Sequence, residues 1–285
     1  MAAPVPSITP AIDAELDQPY ALSDETIAAY RRDGFVRLKD VLSRATLLRF
    51  EREFTEQVIV RNTNHLPMEQ RDTYQRAFLQ VGNLWQHSDL VKRFVFCARL
   101  GRIASQLMGT RGVRMYHDQA LYKEAQGGFT PWHCDQYYWP LSNDHSITAW
   151  IPLQDVPIEM GPLAFARGSH RYTGGRHLEI SDESEATLAR DLAAYPLDEQ
   201  PIDLGDISFH AGWTYHRARG NHTGLCRKVM TIIYMDIDMR LAQPVTPGQE
   251  GDRRGMAPGL EVGDLMDTAA TPVIWDGDGD GGDAP

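Results

Sequence analysis

The chain contains 285 residues, of which 42% are hydrophobic and 9% aromatic, so it can bury a full core as one large domain or as two average ones. A formal net charge of −11 disfavours nucleic acids and anionic membrane surfaces as partners, because the chain has no basic excess with which to displace counterions. No stretch approaches the length of a transmembrane helix, and residues 1–6 have neither a charged region nor a continuous apolar segment, so we expect no membrane span and no secretory signal.

The N-terminal part of the chain shows mainly helical patterns. Residues 1–20 are rich in Pro and Ala with little periodicity, and we expect them to form a flexible arm. A helix is predicted from the N-cap residue Ser23, which two acidic residues follow, to Asp33-Gly34, and a short strand is predicted at residues 35–38. Two further helices, predicted from apolar residues at helical spacing, cover residues 43–60 and 89–108.

Strand patterns dominate from residue 113 onwards. The predicted strands cover residues 113–123, 145–155, 163–166, 206–210 and 228–237, and residues 181–194 predict a helix inserted between strands. Helices followed by many short strands favour a mainly β fold with flanking helices, the double-stranded β-helix or jelly roll of the cupins. We predict a single domain of this kind over residues 21–275, followed by a low-complexity, disordered acidic tail over residues 276–285.

The cysteines indicate the compartment. Cys97, Cys134 and Cys226 are far apart in the sequence and form no CxxC pair. This spacing provides neither a zinc site nor a disulfide framework, and it is typical of proteins in a reducing environment. We therefore predict a cytoplasmic location.

His133 and Asp135 form the most informative motif of the chain. Residues i and i+2 of a strand point to the same face, so this imidazole and this carboxylate can bind one metal ion together. A third ligand has to come from elsewhere, and the candidates are His210, His216 and His222. Two His and one carboxylate leave the opposite side of an ion open, as in the non-haem Fe(II) oxygenases. The competing interpretation is a surface His–Asp pair and a core histidine that is satisfied by its neighbours.

Further motifs occur along the chain in an order that resembles a known family. They are Tyr30-Arg31-Arg32-Asp33-Gly34-Phe35-Val36, Thr130-Pro131-Trp132-His133-Cys134-Asp135, Ala149-Trp150, Gly161-Pro162-Leu163, Gly168-Ser169-His170-Arg171, Gly205-Asp206, and His216 followed by Arg227. Together they resemble the phytanoyl-CoA dioxygenase-like (PhyH) branch of the Fe(II)/2-oxoglutarate-dependent oxygenases. The chain departs from the family pattern at Ala218, where the family usually carries a small hydroxyl residue, and at Arg167, which replaces a Pro.

The resemblance implies roles for five residues. His133, Asp135 and His216 are expected to bind iron and to form the catalytic centre, since among the histidines only His216 has an Arg at the family spacing. The implied cofactors are Fe(II), 2-oxoglutarate as cosubstrate and O2, with ascorbate as an optional addition. Arg227 is expected to bind the distal carboxylate of 2-oxoglutarate through its guanidinium, with Trp150 lining the same pocket. The alternatives are a surface Arg at a strand end and a buried core Trp.

Residues on the substrate side are predicted from strand alternation and from the aromatic run after the metal motif. Lys123 shares a strand face with Gln119 and His117, and we expect Lys123 near the cosubstrate and Gln119 or His117 near the substrate. Tyr137 and Trp139 predict an aromatic mouth for an apolar organic substrate, although such a cluster is equally typical of packing.

The resemblance implies that the protein hydroxylates, or otherwise oxidises, a small organic or secondary-metabolite substrate and releases succinate and CO2. Asp135 excludes the radical halogenases of this superfamily, which replace the carboxylate with a small residue. Two alternatives belong to other functional classes. One is a jelly-roll protein that binds a metal or a small ligand without turnover, and the other is a zinc-dependent hydrolase on the same fold.

Overall fold

A computed structural model describes residues 8–277, so residues 1–7 of the predicted arm and residues 278–285 of the predicted tail lie outside the described part of the chain. The α-helices are α1 (Pro10–Asp17), α2 (Asp24–Asp33), α3 (Arg44–Arg61), α4 (Thr73–Ala77), α5 (Asp89–Val95), α6 (Ala98–Met108), α7 (Asp182–Asp191) and α8 (Pro247–Met256). Short 3-10 helices cover Met68–Gln70, Leu84–Gln86, Asp135–Tyr138, Ile158–Met160 and Ser169–Arg171. The strands are β1 (Phe35–Leu38), β2 (Leu79–Gly82), β3 (Gly112–Tyr122), β4 (Thr130–His133), β5 (Ser146–Pro152), β6 (Leu163–Ala166), β7 (Leu197–Glu199), β8 (Ile207–Ala211), β9 (His216–Ala218), β10 (Val229–Asp236) and β11 (Val273–Asp276). Within residues 8–277, no helix combines the length and the apolar character needed to cross a membrane.

These strands pair in antiparallel fashion and form two sheets. The larger sheet has the order β1-β8-β5-β10-β3-β11, and β2 pairs with the C-terminal half of β3. The smaller sheet has the order β4-β9-β6-β7. Phe35 of β1 stacks on Phe165 of β6 with ring centroids 4.3 Å apart, so the two sheets are in contact. The prediction of an antiparallel double-stranded β-helix with flanking helices is confirmed.

Strand β5 separates the main core from the functional site. Its odd-numbered residues Ile147 and Ala149 belong to the core that the helices cover, whereas Thr148 and Trp150 line a cavity on the other face. Every residue of the strand is buried. A strand in this position needs apolar side chains on one face and polar or aromatic side chains on the other.

Aromatic packing anchors the helices on the outer face of the large sheet. Phe50 and Phe54 of α3 meet Phe94 of α5 with ring centroids 4.9 and 5.1 Å apart, and all three side chains are fully buried. The predicted caps of α2 also occur, since Ser23 accepts a hydrogen bond from the Thr26 amide and Gly34 ends the helix with a φ of 84°. The predicted helices and strands mostly occur within a few residues of their expected bounds.

The helix predicted over residues 89–108 is wrong as a single element, because the structure has two helices, α5 and α6, separated at Phe96-Cys97. The reason lies in the apolar pattern. At 100° per residue, a continuous helix would place Val91 and Phe94 on the face opposite Leu100 and Leu107. All four side chains are fully buried, which requires the chain to change direction between the two sets.

Two terminal segments also differ from expectation. Residues 10–17, predicted as part of a flexible arm, form α1, in which Leu16 is fully buried and Asp13 and Asp17 form ion pairs with Arg93. Asp276, predicted to belong to the tail, lies in β11. The assignment of residues 21–275 to one domain stays a prediction.

Candidate metal centre and adjoining cavity

His133 and His216 lie directly opposite each other on the neighbouring strands β4 and β9. Their ring centroids are 4.2 Å apart. Asp135 begins a 3-10 turn just past β4 rather than lying within the strand, but the extended backbone of Cys134 keeps its carboxylate on the side of His133. One ligand atom from each of the three residues lies within 4.8 Å of the others. The structure thus brings together the three predicted metal ligands.

Backbone carbonyls orient both imidazoles. Nδ1 of His133 lies 2.8 Å from the Pro131 carbonyl oxygen, and Nδ1 of His216 lies 2.9 Å from that of Thr214. A carbonyl only accepts, so Nδ1 carries the proton and the lone pair of Nε2 is available to a metal. Each Nε2 lies near Oδ1 of Asp135, at 3.6 Å from His133 and 3.5 Å from His216. Burial lowers the pKa of both imidazoles, which favours the neutral form that a metal ligand requires.

The second oxygen of Asp135 is held by two side chains that the sequence did not single out as partners. Oδ2 accepts a hydrogen bond from the Thr148 hydroxyl at 2.8 Å and lies 3.0 Å from Nε2 of His210. Although burial raises the pKa of Asp135, the imidazoles of His216 and His210 outweigh it and lower the pKa well below its usual range. His210, considered from the sequence as a third ligand, instead contacts the ligand carboxylate, and the other candidate, His222, is exposed.

Arg227 provides a buried cation at one end of the cavity. Its guanidinium donates from Nη1 to the Gly161 carbonyl. The guanidinium carbon Cζ lies 5.5 Å from the centre of the Trp150 ring. The buried Nε has no hydrogen-bond partner among residues 8–277, and no carboxylate in that range forms an ion pair with the side chain. Burial lowers the pKa of Arg227 to about 10, so the group remains cationic at neutral pH. A buried guanidinium of this kind calls for an anionic ligand.

Lys123 lies beside Arg227 but points elsewhere. Reciprocal backbone hydrogen bonds of 2.9 and 2.8 Å join the two residues just beyond the end of β3. The Lys123 ammonium donates to the Gly128 carbonyl and lies 3.4 Å from the Thr130 hydroxyl. Burial and the charge of Arg227 lower the pKa of Lys123 well below its usual value. Among the described residues that line the cavity, Lys123 is absent.

The cavity extends from Arg227 past the metal centre and has a volume of about 260 Å³. Of the predicted substrate-side residues, His117, Gln119 and Trp139 line it, as does Trp150. Tyr137 is not among the described lining residues, and its ring packs edge-on against Tyr138 at a centroid distance of 4.9 Å. Burial lowers the pKa of His117 to about 4, so this imidazole is neutral at physiological pH.

Several cavity residues come from segments in which the sequence showed no functional pattern. Tyr74 and Gln80, from the region around α4 and β2, form a hydrogen-bond chain to Gln119. Ile180 precedes α7, and Asp252 lies on α8. Only long-range packing brings these residues to the cavity, so local periodicity carried no signal for them.

Comparisons with known proteins fit this site. The sequence profile of the phytanoyl-CoA dioxygenase (PhyH) family matches residues 30–229. A probable alpha-ketoglutarate-dependent hypophosphite dioxygenase of Stutzerimonas stutzeri is 23% identical over 165 residues, which cover 56% of this chain and 57% of that protein. Ectoine dioxygenase of Bordetella bronchiseptica is 29% identical over 160 residues, which cover 53% of this chain and 50% of that protein. The chain thus spans about half the length of these curated relatives.

Solved structures share the fold over nearly the whole chain. One of them is the non-heme alpha-ketoglutarate-dependent carbocyclase SnoK from nogalamycin biosynthesis, which is 26% identical with a TM-score of 0.75. The alignment covers 90% of this chain and 100% of the SnoK chain. The epimerase SnoN, solved in complex with Fe3+, alpha-ketoglutarate and nogalamycin RO, is 24% identical, with a TM-score of 0.73 and coverage of 88% and 98%. At this level of identity, the likeness to SnoN shows the fold alone.

Proposed function

Because this chain belongs to the phytanoyl-CoA dioxygenase (PhyH) family, we propose that it is an Fe(II)/2-oxoglutarate-dependent dioxygenase that oxidises a small organic molecule and releases succinate and CO2. One observation carries the proposal. The ligand atoms of His133, Asp135 and His216 converge in the same cavity that contains the buried guanidinium of Arg227. A metal centre beside a cation that has no carboxylate partner among residues 8–277 suits a cosubstrate that is both a chelator and a dianion.

The donor set of the metal centre fits iron. Two neutral imidazoles and one ionised carboxylate are the ligands of the non-haem Fe(II) oxygenases, and they leave part of the coordination sphere open. The bound iron, with 2-oxoglutarate and O2, would supply the oxidising power through oxidative decarboxylation of the cosubstrate. Thr148 and His210 would keep Oδ1 of Asp135 directed at the ion by holding Oδ2.

Arg227 would bind the distal carboxylate of 2-oxoglutarate. Its Nε is buried without a partner among the described residues, so an arriving carboxylate oxygen would satisfy both the charge and this donor. Trp150 would form one wall of that pocket. Lys123 would act on this pocket only indirectly, because its side-chain nitrogen is bonded to the Gly128 carbonyl and its backbone pairs with that of Arg227.

The remaining cavity would hold the substrate. His117, Gln119 and Trp139 line it beyond the metal centre, so they would contact the molecule that is oxidised. Tyr137 lies next to this region and would contribute through the packing of the mouth rather than through direct contact. The relatives include an enzyme named for ectoine and structures from nogalamycin biosynthesis, which supports a small molecule of secondary metabolism as substrate.

The cysteines support a cytoplasmic location. Cys97, Cys134 and Cys226 are unpaired thiols, and the first two are buried. Thiols that form no disulfide suit a reducing compartment.

Anaerobic titration with Fe(II) and 2-oxoglutarate tests the proposal. We expect a weak visible charge-transfer band when both are present, and succinate when air and ascorbate are then admitted. Asp135→Ala should abolish both signals, whereas the matched control His222→Ala changes an exposed histidine and should keep them. A band without succinate would favour a jelly-roll protein that binds its ligands without turnover. Hydrolytic activity that needs zinc and no O2 would favour the hydrolase.

A further inference from the structure

The cavity contains a carboxylate that neither the metal centre nor the cosubstrate pocket uses. Asp252 lines the cavity from α8, well beyond residues 30–229, which match the family profile. Its Oδ2 accepts a hydrogen bond of 2.8 Å from the hydroxyl of Tyr116. Within residues 8–277, no Lys, Arg or His forms an ion pair with Asp252, and its Oδ1 has no hydrogen-bond partner.

An irregularity in β3 positions this carboxylate. His117 pairs with Ile233 of β10 and Met115 pairs with Tyr234, so Tyr116 is an extra residue without a partner, as in a β-bulge. Bulges re-aim side chains near functional sites, and here the Tyr116 ring is directed towards α8.

Helix α8 is also bonded to the 3-10 turn Asp135–Tyr138, here called the metal loop. Gln249, one turn before Asp252, donates from Nε2 to the carbonyl of Tyr137 at 2.7 Å. The Tyr116 ring lies 5.5 Å from that of Trp139, which follows the same loop and lines the cavity. The large sheet therefore holds the carboxylate through Tyr116, and the metal loop holds the helix that carries it.

Among the described residues that line the cavity, none is a cation that remains available to pair with Asp252. Apart from the histidines, the charged residues among the described lining side chains are Asp135, Arg227 and Asp252. In the proposed function the first two would be engaged by the metal and the cosubstrate. His117 is neutral, and the chain of Tyr74, Gln80 and Gln119 carries no charge. Burial raises the pKa of Asp252, partly offset by the Tyr116 hydroxyl, as expected for a carboxylate without a cation beside it.

We propose that Asp252 binds a basic nitrogen of the substrate, so that the molecule oxidised in this cavity is a small organic amine in its protonated form. The inference rests on the proposed function, since it names the class of its substrate. A protonated amine would donate to Oδ1 of Asp252 and neutralise the charge of this half-buried carboxylate. Charge-assisted hydrogen bonds are stronger than neutral ones. The aromatic faces of Tyr138 and Trp139, which line the same cavity, suit the alkyl groups next to an ammonium.

Calorimetric titration with matched probes tests this assignment. Phenethylamine and tryptamine are compared with phenethyl alcohol and tryptophol, which replace the ammonium with a hydroxyl. The full chain is loaded with Fe(II) and 2-oxoglutarate under anaerobic conditions, and its charge-transfer band is recorded in the same sample. We expect the affinity for each amine to be at least about tenfold higher than the affinity for its alcohol. One hydrogen bond to a charged group has an effect of this size.

Asp252→Asn should remove the preference for the amine and leave alcohol binding unchanged. The asparagine side chain keeps an oxygen that can accept from the Tyr116 hydroxyl. An unchanged thermal unfolding midpoint shows that the variant folds. If Asp252→Asn does not fold, Asp252→Ser is used in its place. The matched control is Glu250→Gln on the same helix, where Glu250 already pairs with Arg253. This control should keep the full preference.

Three results would overturn the assignment: equal binding of amine and alcohol, a preference that survives Asp252→Asn, or no amine binding at millimolar concentration. A normal charge-transfer band together with any of these would leave the proposed function intact. Conversely, an Asp252-dependent preference without the band would refute the proposed function and keep the amine site.

Discussion

His210 lies with its Nε2 3.0 Å from Oδ2 of Asp135, on the oxygen that faces away from the other two metal ligands. A histidine in this position fixes a ligand carboxylate rather than replacing it. The proposed metal centre would therefore depend on His210 of β8 as well as on its three proposed ligands. This arrangement leads to the first of four predictions.

We expect His210→Phe to weaken Fe(II) binding about 10-fold to 100-fold while the three ligands stay in place, the usual effect of losing an outer-shell partner. Thr148→Val removes the other hydrogen bond to Oδ2 and should act in the same direction. Competition with a chromophoric chelator measures the affinity. Unchanged affinity in both variants would show that neither side chain positions Asp135.

Direct ligand loss should be more severe. His133→Ala, Asp135→Ala and His216→Ala are each expected to lose stoichiometric iron and all succinate formation, because each removes one of three protein ligands. Metal analysis after anaerobic reconstitution and desalting measures the iron content. An Asp135→Ala protein that retained one iron per chain would contradict the assignment.

Arg227→Ala should weaken the binding of the cosubstrate without weakening the binding of iron. The variant is expected to bind iron normally but to require at least tenfold more 2-oxoglutarate, since it lacks the guanidinium that would pair with the distal carboxylate. Arg227→Lys keeps the charge without the planar donors, and it should fall between the two proteins. The charge-transfer band, titrated with 2-oxoglutarate, gives the affinity. Equal cosubstrate dependence in all three proteins would refute the role of Arg227.

Asp118 should make stability depend on pH. Burial raises the pKa of Asp118 to about 7, although its carboxylate accepts hydrogen bonds from the amides of Leu84 and Trp85. The folded state thus holds a proton that the unfolded state releases near pH 4. The resulting stabilisation is complete below about pH 4 and is lost as the pH rises through about 7.

Urea unfolding at pH 5 and pH 8 measures this dependence. The wild-type free energy of unfolding should fall more between these pH values than that of Asp118→Asn, which cannot titrate. Glu261→Gln alters an exposed carboxylate and serves as the control, with a pH dependence like that of the wild type. Identical slopes for the wild type and Asp118→Asn would contradict the prediction.

The sequence by itself determined the local elements and the order of the motifs. Cap residues such as Ser23 and Gly34 marked the bounds of α2, because capping depends on neighbours a few residues apart. The spacing of His133 and Asp135, and of His216 and Arg227, indicated the family and the residues that the structure brings into one cavity. The caps and the His133–Asp135 pair are local signals, whereas the spacing of His216 and Arg227 gained its meaning only from the family pattern.

Tertiary structure decided everything that depends on which strands meet and where alternation stops. By strand alternation, Lys123 belongs to the same face as His117 and Gln119. However, β3 ends at Tyr122, and the Lys123 ammonium donates to the Gly128 carbonyl instead. His210 looked like a competing ligand until β8 placed it behind Asp135. Asp252 lies on a helix without a recognisable motif and reaches the cavity only because α8 packs against the metal loop. Contacts between distant segments arise from the burial of whole faces, and a local sequence pattern does not record which polar groups that burial brings together.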